Sequence, residues 1–305
     1  MNVVNISRND WANFSYSNAK AMDAVGITSV ALVLNKHPFK YSHEAFEVDI
    51  KTMIHYCEEA DVVNFVHNDI DLFNQLLPHI KNKKIIVTYT GSAYRNDPNR
   101  HNAVFNPHVE FSLTDQTEFM NLGAKNIKYI STAIDTQKFS VKEIGKQLKF
   151  AHYPSNPDVK GTAEIIEMMK MFDYDGEFAC DTKILNHQDS IRRMSDCDIY
   201  IELFKPELNG KPYGCFGVTA FEAASLGKIV VTQNMNKEVY ESVYGNSPFL
   251  IPETREQFKM SIDFLIMQHS INPNFIKRMQ EMHREQMIKK HSYKAIGEQM
   301  KKLLS

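Results

Sequence analysis

The sequence of 305 residues lacks most features of disulfide-bonded, metal-binding and membrane proteins. Its four cysteines are widely spaced and form no CxxC pair, which argues against a disulfide framework or a zinc-finger pattern and predicts reduced thiols. No apolar run approaches the ~18 residues that a membrane-spanning helix needs. The first residues, MNVVNISRND, have neither the basic segment nor the apolar run of a signal peptide. We therefore expect a soluble, cytoplasmic protein.

An excess of charge of one sign is also lacking. The chain has 35 lysines and arginines against 37 aspartates and glutamates, a formal net charge of −2. It therefore has no global basic field to attract nucleic acid or an anionic membrane. Hydrophobic residues make up 43% and charged residues 24%, values of an ordinary folded protein that is long enough for two α/β lobes.

What the sequence does contain is an alternation of short β-branched runs with amphipathic segments. In the first half, the predicted strands are Val3–Ser7, Ile27–Leu34, Val62–Val66, Lys84–Tyr89, Val109–Leu113 and Ile127–Ser131. The helices expected between them are Phe14–Val25, a segment with an apolar stripe from Phe46 to Cys57, and one from Thr114 to Gly123. After about residue 146 the pattern restarts, with strands at Leu148–His152, Asp198–Glu202 and Lys228–Thr232 and helices near 159–172 and 218–226.

This alternation predicts an α/β fold with parallel sheets covered by helices on both faces. We expect two Rossmann-like αβα lobes, residues 1–146 and 147–288, with a cleft between them and the polar stretch Thr136–Lys146 as the linker. An apolar stripe predicts a final helix within 289–305 that packs back on the first lobe. The stripe consists of Tyr293, Ile296, Met300 and Leu303.

The stretch YGCFGVTAFEAASLGK combines a glycine-bearing turn with the start of a helix. Gly214 and Gly217 precede a helix that begins with Val218 and Thr219, and Glu222 follows one turn later. Such a helix end presents N–H groups and a positive dipole, which suit a diphosphate. A carboxylate at the position of Glu222 can accept two ribose hydroxyls. On spacing alone, however, purely structural roles for these residues are more frequent.

A second stretch, HYPSNPDVKGT, directly follows a predicted strand. Ser155 and Asn156 offer small polar groups in a proline-held loop, and Lys160 stands at a helix start, where it can neutralise phosphate as a point charge. The alternative is an ordinary loop with a solvated lysine.

Three stretches of the first half place polar residues after strands, where ligands of open α/β sheets bind. They are NISRNDWAN, FVHND and TYTGSAYR. The residues that we single out in them are Asn9, Asp10, Asn13, His67, Gly91, Ser92 and Arg95. The first of these loops contains no glycine, so the GxGxxG turn of a dinucleotide-binding oxidoreductase is not expected there.

Taken together and in this order, these stretches resemble the family 4 (group 1) glycosyltransferases, which have the GT-B fold. FGVTAFEAASLGKIVVT is similar to the family's signature around its second conserved glutamate, and SNPDVKGT to its phosphate-lysine loop. YISTAIDTQKF resembles the segment that closes the first lobe, and FVHND and TYTGSAYR resemble the first-lobe His and His-Gly-Ser stretches. The match is scattered over nearly the whole chain, and only the signature Gly217–Gly227 is individually specific.

The resemblance implies an enzyme that moves a sugar from a UDP- or GDP-sugar, bound by the second lobe, to an acceptor on the first. Glu222 would hold the donor ribose, the amides of Val218 and Thr219 the diphosphate, and Lys160 a phosphate. His67 would lie by the transferred sugar, so that His67 and Glu222 are the residues nearest the chemistry. Family members are typically retaining and need neither a metal nor a cofactor.

The resemblance also extends the site to neighbouring residues. Ser155, Asn156 and Gly217 join the donor site. The candidates for acceptor or sugar contacts are Asn9, Asp10, Asn13, Gly91, Ser92, Arg95 and Gly214.

Three positions depart from the family's pattern. The family's first glutamate is replaced by Gly214, and the arginine expected before the lysine falls at Ser155. The glycine-rich loop after the first strand is replaced by SRNDWAN.

Several alternatives stay open at this point. The acceptor is expected to be a glycan or a lipid-linked glycan, but a hydroxylated base of viral DNA is an alternative. A GT-B sugar-nucleotide epimerase or hydrolase would need no acceptor, and a non-catalytic nucleotide-sugar-binding protein would keep only the fold. The sequence has no zinc-type or calcium-type ligand pattern, and of its DxD triplets only Asp69–Asp71 lies just beyond a strand's carboxyl end, so activity is expected to survive chelation.

Overall fold

A computed structural model describes residues 1–139, 141 and 147–305 of the chain. The chain divides into two compact units, one of Met1–Asp135 together with His291–Ser305 and one of Thr136–Lys290. The predicted boundary after residue 146 lies outside the described residues. Of the helices that the structure describes, none combines the length and the apolar character needed to cross a bilayer.

The first unit is built on a parallel sheet of seven strands in the order β3-β2-β1-β4-β5-β6-β7. Its strands are β1 (Asn2–Asn9), β2 (Thr28–Asn35), β3 (Phe46–Glu47), β4 (Val62–Val66), β5 (Lys84–Tyr89), β6 (Phe111–Thr114) and β7 (Lys128–Tyr129). Its helices up to residue 135 are α1 (Phe14–Asp23), α2 (Ile50–Glu59), α3 (Ile70–Leu76), α4 (Gly91–Asn96) and α5 (Pro98–Phe105). From β1 the chain first adds strands on one side, β2 and β3, and then on the other side, β4 to β7. Open α/β sheets bind ligands at such a switch point, here at the carboxyl ends of β1 and β4.

A row of buried polar side chains crosses this sheet. Asn64 donates to Asn5 Oδ1 at 2.8 Å, Thr88 donates to Asn64 Oδ1 at 2.9 Å, and Asn5 donates to Ser29 Oγ at 3.0 Å. Thr88 lies on β5, Asn64 on β4, Asn5 on β1 and Ser29 on β2. A slip of one residue would turn each side chain to the opposite face and leave buried polar groups unpaired. The row therefore fixes the register of the central strands.

The second unit contains a smaller parallel sheet in the order β13-β10-β8-β9. Its strands, together with those of a short antiparallel pair, β11 and β12, are β8 (Leu148–His152), β9 (Gly176–Cys180), β10 (Ile199–Ile201), β11 (Glu207–Leu208), β12 (Lys211–Pro212) and β13 (Ile229–Val231). Its helices are α6 (Pro157–Lys160), α7 (Thr162–Met169), α8 (His187–Ser195), α9 (Val218–Ser225), α10 (Lys237–Tyr244), α11 (Arg255–Ile271) and α12 (Pro273–His291). Strands β8, β10 and β13 bury every residue except Lys149, as expected for a sheet covered on both faces.

Three predicted helices differ from the structure. The helix near 159–172 is interrupted at Gly161, whose backbone is left-handed (φ 70°) and lies so close to the Phe204 carbonyl that a Cβ atom would overlap it. The segment after Thr114 forms only a 3-10 turn at Thr117–Phe119, because Thr114 ends β6 and its hydroxyl donates to the Tyr89 carbonyl instead of capping a helix. Phe46 lies in β3, outside the helix it was predicted to begin.

The final helix, α13 (Tyr293–Leu304), belongs to the first unit and packs against α1. Ser292 caps it by accepting the Ala295 N–H, which separates it from α12. Gly297 faces α1 so closely that a Cβ atom would overlap the Ala21 carbonyl oxygen. The contact between the two helix backbones therefore requires a residue without a side chain.

We expect Gly297→Ala to destabilise the protein, although alanine favours a helix over glycine by about 1 kcal/mol. The steric overlap should outweigh this gain and lower the free energy of unfolding by about 1–3 kcal/mol, measured by urea denaturation. The exposed neighbour Glu298→Ala is the control and should change it by less than about 0.5 kcal/mol. A stabilised Gly297→Ala variant would contradict the close contact.

Candidate functional site

The start of α9 presents backbone N–H groups that can bind an anion. Gly217 occupies the N-cap position, and Val218 and Thr219 are the first two residues of the helix. The amide N–H groups of a first helical turn have no partner within their own helix, and the helix dipole places partial positive charge there.

Lys160 lies directly beside this helix start. A Cβ atom on Gly217 would lie 3.0 Å from Lys160 Nζ and would overlap Glu202 Oε1, so only glycine allows this approach. Lys160 Nζ forms an ion pair with Glu202 Oε1, and the Glu202 side chain is 0% exposed. Because an ammonium group at the positive end of a helix is unfavourable, the carboxylate of Glu202 is the compensating charge.

Glu202 is held from its other side as well. Thr232 donates to its Oε2 at 2.6 Å, and Thr219 Oγ1 lies 3.4 Å from its Oε1. Sequence reasoning missed Glu202, because it directly follows β10 within the apolar run IYIELF and belongs to none of the motifs. The one signal available was a charged residue inside a buried run, which needs a partner in the fold.

Glu222, one turn into α9, makes the second close side-chain contact of the site. Its Oε1 lies 2.6 Å from Nε2 of His187, the first residue of α8. The two side chains are 11% and 14% exposed, so the pair is nearly buried but still reached by solvent. His187 was also missed, since a lone histidine outside any motif gives no signal in the sequence.

The segment from His152 to Thr162, which contains α6 and Lys160, is anchored at both ends. His152 is fully buried between the Ile201 carbonyl, 2.8 Å from Nδ1, and Thr162 Oγ1, 2.9 Å from Nε2. Burial lowers the pKa of His152 to about 4, so the ring is neutral at physiological pH. Asn156 caps α6 by accepting the Val159 N–H at 3.3 Å, and Ser155 is exposed.

Gly214 is buried in this unit with a left-handed backbone (φ 138°). Its carbonyl accepts the Met235 N–H at 3.0 Å, and a Cβ atom would lie 3.0 Å from Gln233 Cβ. A glutamate, the residue at this position in the family that the sequence resembles, would strain the backbone and press on Gln233. Glycine therefore suits the local packing at this position.

In the first unit, the structure brings Asp10 and His67 together. His67 Nε2 lies 3.4 Å from Asp10 Oδ1, and His67 Nδ1 lies 2.5 Å from Thr90 Oγ1. Asp10 is buried and accepts the N–H groups of Ser15 and Tyr16 at 2.7 and 3.0 Å, so it also caps the start of α1.

The other first-unit candidates are more scattered. Asn9 ends β1, and Asn13 donates from a left-handed conformation (φ 57°) to the His43 carbonyl at 2.9 Å. Gly91 and Ser92 begin α4 and are exposed. Arg95 forms an ion pair with Glu118.

Asp115 is a buried carboxyl group of this unit that the sequence reading did not single out. Burial raises its pKa to about 6, although Gln116 donates to Oδ1 at 2.9 Å and Thr132 Oγ1 lies 3.4 Å from Oδ2. Such a shift is frequent at functional sites.

The DxD triplet Asp69–Asp71 is engaged by other contacts. Asp69 accepts from Arg8 Nε at 2.6 Å and from the Leu72 N–H at 2.7 Å, and in this way it caps α3. Across the part of the chain that the structure describes, no group of three or more His, Cys, Asp or Glu side chains is arranged to hold a metal ion.

Comparison with known proteins identifies the architecture. Neither protein-family models nor curated proteins match the chain, but solved structures do. HepE from Anabaena, in complex with UDP and glucose, matches over 100% of this chain and 99% of HepE, with a TM-score of 0.70 and 11% identity. A glycosyltransferase from Rickettsia africae matches over 99% of this chain and 97% of its own, with a TM-score of 0.65 and 12% identity. Sucrose-phosphate synthase from Thermosynechococcus elongatus matches over 100% of this chain and 98% of its own, with a TM-score of 0.64 and 12% identity.

These neighbours are GT-B glycosyltransferases. The chain has the GT-B fold. At 11 to 12% identity the likeness is one of fold. The expected GT-B architecture is confirmed, and the roles of individual residues have to be argued from this GT-B chain itself.

We expect the two partners of the Lys160–Glu202 pair to contribute unequally to stability. Lys160→Met leaves a fully buried carboxylate without its cation and should cost about 3–5 kcal/mol. Glu202→Gln should cost less, because the Lys160 side chain is 20% exposed and can turn its charge to water. The double variant should recover part of the loss of Lys160→Met.

The measurement is a double-mutant cycle by chemical denaturation, with the exposed Lys211→Met as the control. Strictly additive effects of the two substitutions would show that the pair is not coupled.

Proposed function

We propose that this chain is a glycosyltransferase that binds a nucleotide-diphosphate sugar on its second unit and moves the sugar to an acceptor hydroxyl. The observation that carries the proposal is the convergence of Lys160 and the start of α9, with Glu222 one turn further along the same helix. One helical turn advances by ~5.4 Å, about the spacing between a nucleotide's diphosphate and its ribose hydroxyls. The neighbour HepE is in complex with UDP and glucose, which supports a nucleotide ligand of this kind.

In this proposal Lys160 and Glu222 bind the donor in place of, or in addition to, their present side-chain partners. The diphosphate takes the Lys160 ammonium and the N–H groups of Val218 and Thr219, all of which carry positive charge or partial charge. The ribose hydroxyls donate to Glu222, whose carboxylate His187 holds in place. The departing diphosphate is then stabilised by groups that are already in position.

The fold and the site do not select between UDP and GDP, and the acceptor is proposed by class. A glycan or lipid-linked glycan is favoured over DNA, because a net charge of −2 gives no field for a phosphate backbone. Retention of configuration and independence from metal are what the family resemblance implies, and both remain predictions.

The test of the function is a transfer screen with pure protein, several nucleotide sugars and pools of acceptors, read by mass spectrometry. An acceptor whose mass grows by one sugar supports the proposal. Release or epimerisation of the donor sugar without an acceptor indicates a hydrolase or an epimerase instead. Nucleotide binding without turnover of any donor indicates a binding protein.

We expect Glu222→Gln to fold normally and to bind the nucleoside diphosphate more weakly by ~1.5–3 kcal/mol, because a charge-assisted hydrogen-bond set to the ribose is lost. Isothermal titration calorimetry with UDP and GDP measures this. The matched control is Glu238→Gln, an exposed residue of α10 in the same unit, which should leave the affinity unchanged. Unchanged affinity in Glu222→Gln would remove this residue from the donor site.

Transfer should survive treatment with EDTA, because in this proposal Lys160 and the helix start neutralise the leaving diphosphate. The measurement is the initial rate with and without chelator, followed by addition of manganese or magnesium. Complete loss of activity that either metal restores would contradict this and make the Asp69–Asp71 triplet the first candidate for the metal ligands.

A further inference from the structure

A groove runs along α1 on the side of the first unit's sheet where β2 and β3 lie. It begins beyond the carboxyl end of β2, at Lys36 and Tyr41, and leads toward the amino end of the same strand, at Ser29. Its volume is about 650 Å³, within the usual range for sites that hold a small ligand. The wall on α1 consists of Tyr16, Ala19, Lys20 and Asp23, which recur at helical spacing.

Small side chains leave this space open. Ala19 of α1, Ala31 of β2 and Ala45, just before β3, are buried and pack together where the helix meets the sheet. All three line the groove. Protein interiors are otherwise close-packed, so larger residues at these positions would fill the space between the helix and the sheet.

The lining of the groove carries charges of both signs in nearly equal number. The ion pairs Lys36–Glu44, at 3.1 Å, and Lys20–Asp23, at 3.5 Å, hold four of the charged groups side by side, and the fifth is Glu47. Such a lining has no excess of positive charge for a phosphate backbone, and a lipid tail would leave its charged groups without water. Hydroxyl groups both donate and accept hydrogen bonds, so a neutral ligand with many hydroxyls fits this lining.

Aromatic rings stand at the carboxyl end of the groove. The ring of Tyr41, which lines the groove, lies 5.7 Å from the His37 ring between centroids. His37 also contacts the rings of Trp11, at 4.8 Å, and Phe39, at 4.5 Å. His37 is buried within this cluster, whereas Trp11 is 53% exposed. An exposed aromatic ring presents a negative face, which attracts the partly positive C–H groups on the face of a sugar ring.

The register of the sheet brings Trp11 and His37 together. Asn9 of β1 pairs with Asn35 of β2, and the two ring-bearing residues each follow two positions later. The next residue, Ala12, has a left-handed backbone (φ 56°), a conformation that costs energy in alanine. Backbone strain of this kind directly beside an exposed tryptophan indicates a functional constraint on the position of its ring.

We propose that this groove binds a neutral oligosaccharide, the portion of the acceptor that extends away from the reacting hydroxyl. From Tyr16 to Asp23 the wall on α1 is ~10 Å long, enough for about two linked sugar rings, and Trp11 stacks on a further ring at the open end. The role as part of the acceptor rests on the proposed function, whereas oligosaccharide binding itself needs no donor. The acceptor class that follows is an oligosaccharide, favoured over a single sugar, a lipid or DNA.

The binding test uses the full chain without any nucleotide sugar. Trp11 is the only tryptophan of the chain, so tryptophan fluorescence reports ligands that reach this end of the groove. The probes are β-linked glucose, galactose and mannose, each as monosaccharide, disaccharide and tetrasaccharide. In at least one series we expect the tetrasaccharide to bind about tenfold or more tightly than the monosaccharide, because the added rings contact further aromatic side chains. The uronic-acid form of that tetrasaccharide should bind more weakly, since carboxylates outnumber lysines in the lining.

Substitutions of the aromatic residues test the groove directly. Tyr41→Ala and Trp11→Ala should each weaken tetrasaccharide binding by about tenfold or more, and Trp11→Phe, which keeps a ring, should weaken it less. Calorimetry replaces fluorescence for the Trp11 variants, and melting temperatures identify variants that lose binding through unfolding. The matched control is Tyr56→Ala, which removes an exposed ring of α2 that also contacts a histidine, and it should leave binding unchanged.

Transfer assays with the donor identified in the screen separate this groove from the reacting site. Tyr41→Ala should raise KM for a tetrasaccharide acceptor by about tenfold more than it raises KM for the disaccharide. Equal changes for the two acceptors would show that Tyr41 has only a structural role and would overturn the proposal.

Equal affinity for the monosaccharide and the tetrasaccharide in every series would overturn the groove. Folded Trp11→Ala and Tyr41→Ala variants that bind like the wild type would do the same, and a fluorescence change with decanol but with none of the sugars would assign the groove to a lipid. Transfer by a wild-type protein that binds no oligosaccharide would overturn the groove and leave the proposed function standing. Oligosaccharide binding without turnover of any nucleotide sugar would leave the groove standing and overturn the proposed function.

Discussion

In the second unit, the fully buried carboxylate of Glu202 determines what can surround it. It needs a cation, and Lys160 supplies one from the end of α6, the helix that follows β8. It needs close contact with the start of α9, and Gly217 permits this because it has no side chain. Hydrogen bonds at its other oxygen come from Thr232 after β13. Three loops at the carboxyl edge of this sheet are therefore held together by one buried charge.

The same principle organises the first unit with different chemistry. There the carboxyl edge of the sheet carries Asp10, His67 and Thr90 in line, and the register of the strands beneath them is fixed by the buried Asn5–Asn64–Thr88 row. Burying polar side chains in the interior costs desolvation free energy, but their hydrogen bonds can form in only one register of the strands. The alignment of the strand ends, and with it the line of the Asp10, His67 and Thr90 side chains, depends on that row.

Both units thus place their polar groups beyond the carboxyl ends of parallel strands, where an open α/β sheet offers a crevice and converging helix starts. The second unit offers cations and helix N–H groups, which suit a diphosphate. The first offers a carboxylate, an imidazole and a hydroxyl.

The sequence by itself determined the alternation of strands and helices, the two-unit α/β architecture and the signature around Gly217 and Glu222, because these depend on local patterns of apolar residues and glycines. It did not reveal β9, because the segment GEFAC contains no β-branched residue. It also did not reveal the helix break at Gly161, where the close approach of the Phe204 carbonyl leaves no room for a side chain. Tertiary structure alone determined which side chains contact the predicted site residues Lys160 and Glu222. Glu202 lies 42 residues from Lys160, and His187 lies 35 residues from Glu222. No local pattern encodes such pairings, because they arise only when separate strand ends and helix starts are brought to the same edge of a sheet.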